Sequence, residues 1–222
     1  MTPDLLFALA LFGLVSSITP GPNNAMLMAS GANFGFARTL PHLLGVIVGF
    51  PLMVISVGLG LGGLFAAVPV LHDILHWVGA AYLLYLAWKI ARSTSLGMGV
   101  GAGRPMTFLQ AVGFQWVNPK AWAMALGTVT TYAPKDGYVA NVFLAATVFC
   151  LVNAPCVSAW AGCGVALRRF LGEPKALRAF NWTMAALLVA SMYPLVTEPL
   201  GAKTPGPSTA SPRPVAAASS GG

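Results

Sequence analysis

The chain has 222 residues, of which 57% are hydrophobic and only 8% are charged. Because a soluble globular domain carries about 25% charged residues, this composition excludes that class and indicates a multi-span helical membrane protein. The net charge of +7 does not indicate a nucleic-acid partner, since the basic residues lie in short segments between apolar runs, where membrane topology explains them.

Successive apolar runs predict six membrane-spanning helices. We place them at residues 4–33, 40–66, 73–91, 107–131, 138–167 and 179–198. The first four residues contain no basic cluster, so we expect no cleaved signal peptide and interpret the first run as the first span. Residues 199–222 are mostly Gly, Ala, Pro, Ser and Thr, and we predict that they form a disordered tail after a transporter domain of residues 1–198.

The first run is interrupted near its middle by the segment Thr-Pro-Gly-Pro-Asn-Asn at residues 19–24. As continuous helix, the uncharged residues 5–37 would reach about 50 Å, whereas the hydrocarbon core of a bilayer is about 30 Å thick. An interior proline also costs a helix about 3 kcal/mol. Irregular backbone at membrane depth is tolerated where it lines a cavity or is buried by protein, so the sequence predicts a broken span with a binding site. The predicted site residues are Pro20, Gly21, Pro22, Asn23 and Asn24.

The two asparagines at this break have two interpretations. A half-helix that begins here presents free backbone N–H groups to an anion, and the asparagine amides can bind a polar solute. Alternatively, Asn23 or Asn24 only caps the second half-helix or bonds a neighbouring helix, since asparagine is a favoured N-cap.

The fourth run is interrupted in the same way, by Asn118, Pro119 and Lys120, which we add to the predicted site. Lys120 is the only charged residue deep within an apolar run, and its insertion costs about 2.5–3.5 kcal/mol. Its ammonium could hold a substrate carboxylate or release a proton during transport; alternatively, its side chain only reaches an interface. Asn153, beside Pro155 in the fifth run, joins the predicted site, although such an asparagine often serves only as an interhelical hydrogen bond.

The pattern of breaks and lengths repeats between the two halves of the chain. The first and fourth runs are broken, the second and fifth are long with a central proline (Pro51 and Pro155), and the third and sixth are shorter and uninterrupted. Because each half has an odd number of spans, the second half inserts upside down relative to the first. We therefore predict an all-α membrane protein with two inverted three-helix repeats, residues 1–92 and 105–198, and a site at the midplane.

The distribution of lysine and arginine predicts the orientation. Basic residues border the first, third and fifth loops, at Arg38, Lys89, Arg92, Arg104, Arg168, Arg169, Lys175 and Arg178. The opposite side has only Lys135, Lys203 and Arg213. The positive-inside bias therefore places those loops in the cytoplasm and both termini outside.

Several function classes lack the residues that they need. The acidic residues all lie at span ends or in loops, at Asp4, Asp73, Asp136, Glu173 and Glu198. This argues against a proton antiporter built on a buried carboxylate and against a divalent-metal carrier. The sequence contains neither a nucleotide-binding Walker motif nor a known catalytic motif, so we expect no enzyme and no cofactor. The glycines at 45 and 49 allow close helix contact, within the bundle or between the subunits of a homodimer.

Three motifs in order resemble the LysE/RhtB family of amino-acid exporters. They lie at residues 19–38, at 79–89 and at 108–121, and the resemblance covers about residues 1–198. The double asparagine after Pro22 and the ending Trp-Lys-Ile-Ala at 88–91 are similar to the cysteine/O-acetylserine exporter branch. The C-terminal tail departs from the family, whose members usually end soon after the last span.

The resemblance implies a secondary transporter in the bacterial inner membrane that exports small amino acids or their derivatives, cysteine/O-acetylserine-like or homoserine/threonine-like, at the expense of the proton gradient. The implied site is residues 20–24 with residues 118–120; Asn153 transfers less directly because members vary in their fifth and sixth spans. The alternatives are an exporter of another small solute or ion and a non-transporting membrane module, such as an assembly partner or a passive channel.

Overall fold

The computed structural model describes residues 1–93 and 104–193, and within these ranges the regular structure is helical, without strands. Short connections join the helices, which are α1 (Pro3–Ile18), α2 (Pro22–Phe34), α3 (Phe36–Ser56), α4 (Gly62–Ala67), α5 (Pro69–Ala91), α6 (Phe108–Val117), α7 (Pro119–Tyr132), α8 (Tyr138–Leu167) and α9 (Pro174–Ala190). The predicted tail at 199–222 and the last residues of the predicted sixth span lie outside the described residues.

Two helical stretches in the described ranges are long and apolar enough to cross a membrane, Phe36–Leu64 and Tyr138–Phe170. A third candidate is the pair α1 and α2, which is bent by 53° at the first break. The helices α6 and α7 are too short to meet the same criterion separately, because the second break divides them. The arrangement as six spans in two inverted repeats stays a prediction.

The helix boundaries follow local sequence signals. The break in the first run is shorter than its motif, because Pro22 begins α2 and only residues 19–21 lie outside helices. Helix α9 begins at Pro174, five residues before the predicted start of the sixth span at 179, since proline is favoured at the first position of a helix. The fifth predicted span, 138–167, has the bounds of α8.

Past Ser56, α3 continues through a π-helical turn (Val57–Leu61) into α4, and this is where the long helix bends. Gly60 has a φ of 126°, a value that side chains of L residues rarely adopt, so glycine permits the bend. The prolines at 41 and 51 lie inside α3 and do not divide it.

Helices α2 and α8 make the most extensive contact in the bundle. At Gly31, an added Cβ would collide with the backbone carbonyl of Ala161, and at Gly164 it would collide with the carbonyl of Met28. Glycine therefore lets the two backbones approach at both positions. The glycines at 45 and 49 serve the same purpose between α3 and α6, where they face Phe108 and residues 111–115.

We expect Gly31→Val to prevent stable folding, because the new side chain meets rigid backbone rather than a movable side chain. The matched control is Gly162→Val on α8, where an added Cβ has nothing within 4 Å. The measurement is the yield and thermal stability of purified protein by size-exclusion fluorescence. Equal stability of the two variants would show that the contact between α2 and α8 is not tight in solution.

Contacts between helix ends define two ends of the bundle. At one end, Asn33 bonds Asn181, and the side chain of Arg168 lies against Gly35. We call this the basic end, because basic residues flank the helix termini there: Arg38, Lys89, Arg92, Arg104, Arg168, Arg169, Lys175 and Arg178. At the opposite end, the amino group of Met1 donates to Asn141 Oδ1 at 3.3 Å.

Candidate functional site

The end of α1 at the first break exposes backbone carbonyls that need partners. The last four carbonyls of a helix lack intrahelical donors, and away from water each needs another donor. Thr19 provides a donor for two of these carbonyls: its N–H donates to Val15 O at 3.2 Å and its hydroxyl donates to Ser16 O at 3.0 Å. Trp160 of α8 donates its indole N–H to Ile18 O at 3.3 Å.

Asn24 completes this capping from the first turn of α2. Its amide nitrogen donates to Ser17 O and to Thr19 O, both at 2.8 Å, and its side chain is buried. The N-cap of α2 is Gly21, and no side chain caps it. The capping interpretation of the two asparagines is therefore wrong for the start of α2, and Asn24 caps the end of α1 instead.

Lys120 connects the second break to the first. Its Nζ donates to Thr19 O and to Thr19 Oγ1, each at 2.9 Å, and to Pro20 O at 3.4 Å. Its stem crosses Gly21, where an added Cβ would lie 2.8 Å from Lys120 Cδ. The ammonium therefore bonds the exposed backbone of the first break, and Gly21 leaves room for the lysine side chain.

The second break is capped by its own asparagine. Asn118 is the N-cap of α7, and its Oδ1 accepts from the backbone N–H of Lys120 at 3.1 Å. The indole N–H of Trp122 donates to Trp116 O at 2.8 Å, which satisfies one of the last carbonyls of α6. Asn118 therefore caps the start of α7, which is the role that the capping interpretation gave to Asn23 or Asn24 at the start of α2.

A pair of amides joins the two breaks. Asn23 Nδ2 donates to Gln115 Oε1 at 2.9 Å, and Gln115 Nε2 donates back to Asn23 Oδ1 at 3.3 Å. Gln115 is fully buried and also donates to Ala111 O at 2.9 Å. Sequence reasoning missed Gln115; the available signal was an uncharged polar residue in an apolar run, three positions before the break at 118.

The polar residues of both breaks line one cavity. The cavity is small, with about 30 Å³ of space for the centres of water-sized molecules, and its mouth is open to solvent. The lining consists of polar residues from both breaks and α8 with an apolar wall from α3, α7 and α8: Ser16, Ser17, Asn23, Asn24, Asn118, Lys120, Asn153, Phe50, Ala121, Met124 and Val157. The structure therefore brings Asn23, Asn24, Asn118, Lys120 and Asn153 together, whereas Pro20, Gly21, Pro22 and Pro119 shape the breaks without lining the cavity.

Some polar groups of this cavity have no partner in the described part of the chain. Only 5% of the surface of Asn153 is exposed, and its amide bonds no group of the described residues. The hydroxyl of Ser17 is buried and also unpaired. Lys120 is the only titratable residue of the lining. Because a buried polar group costs free energy unless it is paired, these groups can pair with a polar solute that carries both donors and acceptors.

The model of the LysE type translocator family matches residues 14–197, a range that includes both breaks and every residue of the cavity. The chain belongs to the LysE family. This LysE-type chain is 31% identical over 200 residues to a cysteine/O-acetylserine efflux protein of Klebsiella pneumoniae subsp. pneumoniae, covering 89% of this chain and 100% of that protein.

Other relatives carry the same name. The cysteine/O-acetylserine efflux protein of Escherichia coli K12 is 31% identical over 191 residues, which cover 85% of this chain and 96% of that protein. The one from Salmonella paratyphi A is 36% identical over 133 residues, 60% of this chain and 67% of that protein. No solved structure matches this LysE-family chain.

Proposed function

We propose that this LysE-family protein is a secondary transporter that exports small amino acids or their derivatives from the cytoplasm, driven by protons. The observation that carries the proposal is the cavity at the junction of two broken helices, lined by one ammonium, several amides and no carboxylate. The relatives named as cysteine/O-acetylserine efflux proteins support a small polar amino acid. Homoserine- and threonine-like substrates are also small zwitterions with a polar side chain.

The two helix ends at the first break can bind the two opposite charges of a zwitterion. The start of α2 has no side-chain cap, so its first N–H groups and the positive end of its dipole suit a carboxylate. The carbonyl oxygens of Thr19 and Pro20 at the end of α1 suit a cation, and they accept from the Lys120 ammonium. Asn153 then bonds the substrate from the opposite wall.

Competition between two ammonium groups for the carbonyl oxygens of Thr19 and Pro20 provides a mechanism of proton coupling. On the cytoplasmic side, the substrate ammonium replaces the Lys120 ammonium at the Thr19 and Pro20 carbonyls, and Lys120 releases its proton there. On the outer side, the amino acid leaves, Lys120 takes up a proton, and its ammonium returns to the carbonyls. One amino acid thus moves out as one proton moves in, and the empty, protonated carrier closes the cycle.

Alternating access in this proposal follows the inverted repeats. We assign repeat one to residues 1–92 and repeat two to 105–198, with the basic end in the cytoplasm and both termini in the periplasm. A homodimer would need a surface other than the glycines at 45 and 49, since those contact α6 within the same chain.

The experiment is efflux from proteoliposomes loaded with a panel of labelled amino acids, with and without an imposed pH gradient. We expect saturable release of a few small polar amino acids, accelerated by a gradient that is acidic on the side that receives them. Non-saturating downhill release without gradient dependence would instead indicate a channel. Folded protein that releases none of the panel would contradict the proposed function and favour another solute or a non-transporting role.

A further inference from the structure

A second group of buried polar side chains lies at the basic end, away from the cavity. Asn33, at the end of α2, donates from Nδ2 to Asn181 Oδ1 of α9 at 2.8 Å. Asn181 in turn donates to Ser93 O at 2.8 Å, and the hydroxyl of Ser93 donates to Asn33 Oδ1 at 3.0 Å. Asn181 is fully buried and Asn33 is 3% exposed. This asparagine cluster (Asn33, Ser93 and Asn181) therefore connects α2, α9 and the end of α5.

The opposite end has no such connection at the position related by the proposed repeat. If Pro22 and Pro119, which begin the second half of each broken span, are aligned, Asn33 corresponds to Thr130. Thr130 is exposed, and its hydroxyl donates to Leu126 O of its own helix at 2.8 Å. Helix α7 is thus not tied across the bundle where α2 is.

The packing of the unbroken helices shows the same asymmetry. Helix α9 packs against α2, and α5 packs against α6, where Gly79 lies against the carbonyl of Val117. The half-helices of the opposite end, α1 and α7, have at most marginal contact with α9 and α5 in the described ranges. In the described ranges, the unbroken helices therefore cover the half-helices of the basic end. The cavity is lined by residues of α1 and α7 and also by residues of α2, α3 and α8.

We propose that the asparagine cluster is the gate of the basic end, formed in the state described here and broken when the cavity opens to that side. This inference rests on the proposed function, because it assumes that the cavity is reached alternately from the two ends. Amide side chains suit a reversible gate. In the closed state they bond one another, and in the open state they bond water at a similar free energy, so neither state is strongly favoured. An apolar plug would strongly favour the closed state.

The gate can be tested by measuring how fast a reagent reaches the cavity from each side, without any transport measurement. The reporter is Met124→Cys, which lines the cavity, and vesicles of both orientations are treated with a membrane-impermeant maleimide. A second reporter, Phe170→Cys, identifies the face of the basic end, where Phe170 is exposed. The background replaces by alanine the native cysteines Cys150, Cys156 and Cys163.

We expect the parent to be labelled at position 124 from the opposite face only. With Asn181→Ala, labelling from the basic-end face should rise about tenfold, because the remaining amide loses its buried partner and the open state gains population. The control Thr130→Ala should leave both rates unchanged. Equal labelling of the parent from both faces, or an unchanged rate in Asn181→Ala, would overturn the gate.

Cross-linking gives an independent measurement if Asn181→Ala does not fold. In Asn33→Cys/Asn181→Cys, a short bifunctional thiol-reactive reagent, cleavable by reductant, should reduce labelling of position 124 from the basic-end face to background and should stop efflux until the link is cleaved. Either single variant, which contains the same reporter, measures how much labelling is lost because the reagent reacts with position 124 directly, and the double variant should lose more. Access that responds to the link while no amino acid is ever released would retain the gate and reject the proposed function.

Discussion

Lys120→Met is expected to abolish the acceleration of efflux by a pH gradient while exchange of internal for external amino acid continues. Without the lysine, the carbonyls of Thr19 and Pro20 stay open to the substrate ammonium, but no group of the lining can carry a proton back. The measurement is efflux with and without the gradient, beside counterflow of labelled substrate, in proteoliposomes that contain equal amounts of folded protein.

Lys120→Arg is the matched variant and should behave in the opposite way. Arginine keeps its proton under all physiological conditions and donates to the same carbonyls, so the substrate ammonium cannot replace it there. We expect gradient-driven efflux and counterflow both to fall about 100-fold, which corresponds to about 2.7 kcal/mol of lost substrate binding. If Lys120→Arg remains active and Lys120→Met does not, Lys120 holds the substrate carboxylate and the competition mechanism is wrong.

Asn24→Leu is expected to lower the stability of the protein as well as its transport. The variant leaves Ser17 O without a donor at a buried position, and it leaves Thr19 O with only Lys120. The unmade bonds should cost about 2 kcal/mol and lower the melting temperature by about 4–8 °C. Differential scanning fluorimetry on purified protein measures the shift.

Asn153→Leu is the control for this prediction. Its amide is as deeply buried but bonds no protein group in the described part of the chain, so the free energy of unfolding should change little. The expected effect is on substrate instead, with KM for efflux raised about tenfold. A larger stability loss for Asn153→Leu than for Asn24→Leu would contradict the proposal that Asn24 stabilises the fold and Asn153 binds substrate.

The positions of both breaks could be predicted from sequence because their cause is local. Each break combines a proline, which suits the first position of a helix, with a residue directly before it that suits the N-cap, Gly21 or Asn118. Isolated prolines, such as those at 41, 51 and 155, do not divide their helices. The bounds of α8 were predictable for the same kind of reason, since polar and glycine residues flank its apolar run on one side and basic residues on the other.

The partners of the polar side chains could not be predicted in this way. Asn24 has the right chemistry for an N-cap, yet its donors go to carbonyls that precede it in α1. Gln115 has no motif of its own and gains its role only because the fold places Asn23 beside it. Such pairings depend on helix packing across the whole chain, which local propensity does not encode.

The capping of α1 by distant side chains has a consequence for biosynthesis. Its last carbonyls depend on Lys120, which is 101 residues beyond Thr19, and on Trp160, which is 142 residues beyond Ile18. At about 5–20 residues per second, a ribosome makes Trp160 about 7–30 s after Ile18. The first helix to leave the ribosome is thus among the last to be completed. Until then, its open end must be held by water, lipid headgroups or the insertion machinery.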